Sequence, residues 1–194
     1  MAAEQDHLDT GSGQLYPARQ VPSPNQGPRP EGTPIDLAVI HAISLPPGEF
    51  GGDAIDRLFT NRLDPQAHPY FAGIAGLRVS AHLLIRRHGG TTQYVPFHRR
   101  AWHAGRSSFA GRTECNDYSS GIELEGDERH SFTAAQYRAL SGILAALTRT
   151  YPGLGRDRIV GHADIAPGRK TDPGPRFDWD RLFAELDRIT TRGT

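Results

Sequence analysis

The apolar positions of this chain fall into short runs and spaced sets that predict alternating strands and helices. Ile35-Asp36-Leu37-Ala38-Val39-Ile40 is a short, β-branched run suited to a strand buried on both faces, and it ends at His41. Between Asp53 and Leu63, the residues Ile55, Leu58, Phe59 and Leu63 recur near helical spacing, which predicts a short amphipathic helix. Val79 to Arg86 reads as a strand and Thr91 to Val95 as its hairpin partner. Between them His88-Gly89-Gly90 supplies glycines that tolerate the positive φ of a tight turn.

The second half continues the alternation. In Gly121 to Glu125, Ile122 and Leu124 share one face of a strand while Glu123 and Glu125 share the other. Thr133 and Gln136 have the spacing of a capping box. Tyr137, Leu140, Leu144 and Leu147 follow at helical intervals, predicting a long helix to about Thr150 that Pro152 stops. Arg158 to Gly161 is a short strand ending at His162, and Asp178 can cap a last helix bearing Leu182, Phe183, Leu186 and Ile189.

Residues 1–34 stand apart, with six of the fifteen prolines and few large apolar side chains, so a largely irregular leader is expected there. Residues 35–190 form the expected folded unit. With no internal repeat, the pattern predicts a single mixed α/β domain, a central mixed sheet flanked by helices.

Composition narrows the partners. Lys+Arg and Asp+Glu both number 22, so the basic footprint of a nucleic-acid binder is missing, and no nucleic-acid partner is expected. No stretch approaches the ~18 apolar residues of a membrane span. The beginning of the chain lacks the basic stretch and apolar run of a secretory signal, and Cys115 is the single cysteine, so a cytoplasmic, reducing location is expected. Nothing in the sequence calls for an obligatory protein partner.

Two counts bear on chemistry: nine histidines, and a single lysine, Lys170, among 22 basic residues. His41 and His162 each sit where an apolar strand runs out, a position from which α/β sheets present ligands and catalytic groups. Neutral imidazole is the commonest zinc ligand, and catalytic zinc takes three protein ligands with one position left open. Asp172, in the proline-stiffened Lys170-Thr171-Asp172-Pro173-Gly174-Pro175, is the natural third donor. Histidines at strand ends are also common as hydrogen-bonded structural residues, and spacing by itself leaves both readings open.

Glu123 is the candidate general base, while Glu125 is expected on a solvated face. Lys170 offers a compact ammonium for a developing oxyanion, where a guanidinium would spread its charge. Trp102 is a candidate groove wall, and Arg78, Arg106 and Arg169 are candidates for binding substrate carboxylates. His7, His68, His82, His88, His98, His103 and His130 lack paired ligand spacing and read as surface or structural residues. Cys115 has no basic neighbour in sequence that would make it a nucleophile. No G-x-S-x-G, Walker loop or C-x-x-C is present.

The stretches VIHAISLPPGEFGG, QYVPFHRRAWHAGRSSF, CNDYSSGIELEG and GHADIAPGRKTDPGPRFDW closely resemble the zinc-dependent N-acetylmuramoyl-L-alanine amidases, specifically the type that acts on 1,6-anhydro-muropeptides. The resemblance runs from about Val21 to Leu182. It implies zinc held by His41, His162 and Asp172, Glu123 as catalytic base and Lys170 as oxyanion stabiliser. The implied fold is shared with peptidoglycan recognition proteins and phage amidases. The implied substrate is an anhydro-N-acetylmuramic acid joined through its lactyl group to an L-alanine-led peptide, whose carboxylates would meet Arg78 or Arg169. Where relatives often carry asparagine after the first zinc histidine this chain has Ala42, and Glu114 stands where an arginine can occur.

Overall fold

The apolar run around Val39 is an inner strand of the central sheet, second from one edge. A computed structural model describes residues 6–191. It opens with four short strands, β1 (His7–Asp9), β2 (Gln14–Tyr16), β3 (Arg19–Gln20) and β4 (Gln26–Gly27). Then come β5 (Leu37–Ile43), helix α1 (Ala54–Phe59), β6 (Leu83–Ile85), β7 (Thr91–Gln93), β8 (Arg100–Ala101), β9 (Ser108–Phe109) and β10 (Arg112–Thr113). The chain closes with β11 (Ser119–Glu125), α2 (Ala134–Thr150), β12 (Ile159–Gly161), α3 (His162–Ile165) and α4 (Trp179–Thr191).

The central sheet has the strand order β12-β5-β11-β6-β7-β3. Its first four strands run parallel, β7 is antiparallel to β6, and β3 is parallel to β7, so the sheet is mixed as the sequence predicts. Ala38, Ile40, Leu83, Ile85, Ile122 and Leu124 form one face, packed under α2 through Leu140, Leu144 and Leu147, with Leu182 and Leu186 of α4 in the same core. The opposite face is covered too. Leu37 and Val39 meet Cys115, Tyr118 and Ile165, while Ile55, Leu58 and Phe59 of α1 pack with Leu84, Tyr94 and Val95. Burial on both sides is what a parallel sheet requires, and each large aliphatic side chain so buried contributes about 1.5–3 kcal/mol.

The α2 start forms as its sequence predicts: Gln136 N–H donates to Thr133 Oγ1 (3.1 Å) and Thr133 N–H to Gln136 Oε1 (3.0 Å). Gln136 Nε2 also donates to the Glu125 carbonyl (2.8 Å), tying the helix to the end of β11. Asp178 Oδ1 accepts the Arg181 N–H (2.9 Å) at the start of α4. The hairpin closes through Arg86 N–H to Gly90 O (2.8 Å), with Gly89 at φ 89°. Its first strand is shorter than Val79 to Arg86, because the Ser80 N–H goes to Trp102 O (3.1 Å) instead of a neighbouring strand.

The leader carries only short strands between irregular stretches, yet it is packed on the domain: Leu8 and Leu15 are buried in the main core and β3 is one edge strand of the sheet. Polar bonds hold it. The Gln93 side chain accepts from Leu15 N–H (2.8 Å) and donates to Gly13 O (3.0 Å), while Val21 N–H and Ser23 N–H donate to Gln93 O and Tyr94 O (both 2.9 Å). Two expectations are corrected. First, β5 continues through His41 to Ile43, so this histidine lies inside a strand. Second, Glu125 is buried. It accepts from Arg86 Nη1 (3.0 Å), Gly51 N–H (2.6 Å) and Arg87 N–H (3.1 Å), anchoring the loop that follows β5 against the strand end.

Candidate active site

Parallel pairing of β5 with β11 puts His41 in register with Glu123, so both side chains leave the same face of the sheet. On the other side of β5, β12 pairs Gly161 with Ile40 and delivers His162 as the first residue of α3. The loop beyond α3 returns with Asp172, whose carbonyl accepts the Ala163 N–H (3.0 Å). Three distant segments meet at one point. His41 Nδ1 and His162 Nδ1 are 3.0 Å apart, and each is 3.1 Å from Asp172 Oδ2. Among the described residues, these three form the His/Asp cluster able to hold a metal ion.

The donor set fits zinc. His162 Nε2 lies 3.1 Å from Ala104 O, and a carbonyl can only accept, so Nε2 carries the hydrogen and Nδ1 of the neutral ring offers its lone pair to the cluster. Tetrahedral zinc with bonds of about 2.0–2.1 Å keeps its ligand atoms roughly 3.3 Å apart, close to the spacing here. Burial lowers the His41 pKa to about 4 against the opposing pull of Asp172, so the ring is neutral at pH 7.

Glu123 makes no side-chain hydrogen bond like those of Asp172 among the described residues. Its Oε2 is buried without a hydrogen bond among the described residues. Burial, reinforced by the negative charge of Asp172, pushes its pKa well above the ordinary carboxyl value, and Lys170 offsets part of that. A carboxyl group so placed holds a proton more readily than an exposed one, which suits it to accept and return one.

These groups open into a groove of about 440 Å³, with Tyr70, Leu77 and Trp102 among its apolar walls and His103, Asp127 and Lys170 among its polar ones. The groove thus brings together His41, His162, Asp172, Glu123, Lys170 and Trp102 from the sequence-derived set, with Ala42 also at its edge. Lys170 forms no ion pair among the described residues. Arg78 and Arg169 are exposed and do not line it; Arg169 Nη2 donates to Ala104 O (2.6 Å) and Arg106 O (2.8 Å). Sequence reasoning passed over His103, whose Nδ1 is 2.9 Å from His41 Nε2. Its one signal was adjacency to Trp102, since no ligand-type spacing marks it.

A protonatable carboxyl group facing two imidazoles and a carboxylate that could hold a metal ion, in an open groove on a mixed α/β sheet, is equipment suited to a hydrolase. The family model described as N-acetylmuramoyl-L-alanine amidase matches residues 31–175, and the chain belongs to that family and is an enzyme of that activity. It is 56% identical over 179 residues to the 1,6-anhydro-N-acetylmuramyl-L-alanine amidase AmpD of Escherichia coli (strain K12), covering 92% of this chain and 97% of that one. To the protein of the same description from Citrobacter freundii it is 59% identical over 172 residues, covering 89% of this chain and 91% of the relative. A crystal structure of a selenomethionine AmpD derivative superposes with a TM-score of 0.89 at 57% identity, covering 92% of this chain and 98% of the other.

Proposed function

We propose that this amidase is zinc-dependent and hydrolyses the amide between the lactyl group of 1,6-anhydro-N-acetylmuramic acid and the L-alanine of the stem peptide, in cytoplasmic recycling of cell-wall fragments. The observation that carries this reading is the near end-to-end similarity to relatives described by that activity. The clustered donors and the unpaired acid supply the chemistry.

His41 Nδ1, His162 Nδ1 and Asp172 Oδ2 would hold the ion. Bound there, zinc supplies Lewis acidity toward a water molecule and toward the scissile carbonyl. Glu123 Oε2 takes the proton of the attacking water, which its raised pKa lets it retain. The same carboxyl group then delivers that proton to the departing alanine nitrogen, so the amine leaves neutral. The Lys170 ammonium, which has no ion-pair partner among the described residues, faces the oxygen on which negative charge develops. Trp102 offers a flat wall to the sugar or peptide. Arg78 and Arg169 do not line the groove, and would meet stem-peptide carboxylates only where the peptide extends past it, Arg78 beside the groove-lining Val79.

Purified protein loaded with one zinc per chain is expected to release free peptide from an anhydro-muramyl tripeptide, and to prefer it over intact sacculi. Absence of release by fully metallated protein, or a preference for sacculi, overturns the assignment.

A further inference from the structure

A metal ligand must present a bare nitrogen, and an imidazole has two nitrogens to choose from. For His162 the Ala104 carbonyl makes the choice. For His41 the choice is made three groups away. We propose that His103 and Ser119 are positioning residues that set the tautomer of His41, through a one-way hydrogen-bond relay ending on the carbonyl of Cys115. The proposal rests on the reading of His41, His162 and Asp172 as metal ligands, and names what prepares them.

The direction of each bond follows from the last acceptor. Cys115 O can only accept, so the single hydroxyl hydrogen of Ser119 is given to it (2.5 Å). Ser119 Oγ then has only lone pairs left for His103 Nε2, 3.1 Å away, which must therefore carry a hydrogen. The other nitrogen of the neutral His103 ring, Nδ1, is bare. It faces His41 Nε2 at 2.9 Å, and two bare nitrogens at that distance would repel, so the hydrogen of His41 sits on Nε2. His41 Nδ1 is left with its lone pair toward His162 Nδ1 and Asp172 Oδ2, a set of three acceptors whose mutual repulsion a bound cation between them removes. Both histidines of the cluster thus reach the same state, one through a single carbonyl and the other through a serine and a second imidazole.

The surrounding structure is built around this relay. Asn116 Oδ1 accepts the N–H groups of both His103 (3.0 Å) and Ala104 (2.8 Å), so one side chain sets the dipeptide that partners both imidazoles. The His103 ring lies against Gly121, where an added Cβ would stand 2.3 Å from His103 Cγ; only glycine leaves the ring its seat. Ser119, Gly121 and Glu123 alternate along β11 and so share a face, carrying the relay's hydroxyl, the ring's seat and the acid. Arg29 holds the base of this segment, donating to the carbonyls of Ser119 (2.9 Å), Asp117 (2.8 Å) and Asn116 (3.2 Å).

Two measurements test the relay. In zinc-free wild-type protein carrying 15N-labelled histidine, long-range 1H–15N correlation is expected to show His41 and His103 both as Nε2–H tautomers. In chelator competition, Ser119→Ala and His103→Leu are expected to weaken zinc affinity about 10- to 100-fold. His103→Asn, whose amide oxygen falls near the place of Nδ1, is expected to recover most of the His103→Leu loss. A wild-type His41 carrying its hydrogen on Nδ1, or unchanged zinc affinity in both variants, overturns the relay while leaving the metal reading intact. Wild-type protein that binds no zinc overturns both. The tautomer measurement needs no variant, so it decides even where a substitution prevents folding.

Discussion

Glu123 lies in register with His41 on adjacent parallel strands, which makes the acid and the imidazole immediate neighbours on one face of the sheet. Their separation across the groove floor is therefore set by strand spacing, roughly 5 Å between backbones, and not by flexible loops. This rigid pairing gives the acid a defined place beside the cluster, and its consequences can be measured.

Glu123→Gln keeps the shape and removes the base. Turnover is expected to fall about 10²- to 10⁴-fold with zinc content unchanged. In the zinc-free protein the same change is expected to stabilise. As pH rises past 4.5 the unfolded chain ionises this carboxyl while the folded chain resists, so wild-type Glu123 costs stability that glutamine does not. Thermal melts at pH 8 showing no gain for the variant would contradict the buried, unpaired placement of Oε2.

The same raised pKa sets the acid limb of the rate profile. Because the base works only when ionised, kcat/KM is expected to rise with pH through a group titrating well above 4.5. An acid limb at the ordinary carboxylate value, measured with zinc occupancy held constant, would assign the proton acceptor to another group.

Three histidines predict a second pH effect. Burial lowers His41 to about 4 and His82 to about 3, and holds His103 well below 6.5. His82 is bound as a neutral ring, with Nδ1 accepting from Gly121 N–H (2.9 Å) and Nε2 donating to Arg99 O (3.0 Å). Above pH 6.5 neither state takes up these protons. As pH falls below it the unfolded chain does and the fold does not, so stability is lost on acidification. Three histidine protons taken up by the unfolded chain are opposed by the one that the fold keeps on Glu123, so urea melts of zinc-free protein should lose roughly 3 kcal/mol per pH unit just below pH 6. A slope of less than one proton would refute the burial of these rings.

Lys170→Ala is expected to lower kcat about 10²- to 10³-fold with KM and zinc content little changed, the pattern of a group used mainly in the transition state. Lys170→Arg should restore only part of this, because a guanidinium spreads its charge. Equal loss in KM and zinc content would move Lys170 from oxyanion stabilisation to holding the loop of Asp172.

Glu125→Gln removes the charge that Arg86 and the Gly51 and Arg87 amides share. A loss of about 1–3 kcal/mol is expected, since Arg86 keeps Asp56 as a second partner. Hydrogen exchange should quicken at Gly51 and Arg87 first; unchanged exchange there would show that the loop after β5 is anchored elsewhere.

The order of amino acids dictates the strands and helices whose periodicity is strong. The capping box of Thr133 and Gln136, the glycine hairpin and the Ile122/Leu124 alternation all stand where local pattern places them, because each depends on neighbours within a few residues. It also marked His41, His162, Asp172, Glu123, Lys170 and Trp102, all of which line one groove. Tertiary structure alone decided the rest. Leu8 and Leu15 entered the core because the Gln93 side chain satisfied the leader's backbone, a bond spanning 78 residues that no period reveals. Glu125 became an anchor, though it alternates with Glu123 like any solvated residue, because a loop lies across its end of the strand. His103 came to touch His41 only once β5 and the chain beyond β8 were packed together. Hydrogen-bond direction depends on which acceptor lies at the end of a chain of contacts, and that is settled by packing among segments far apart in sequence.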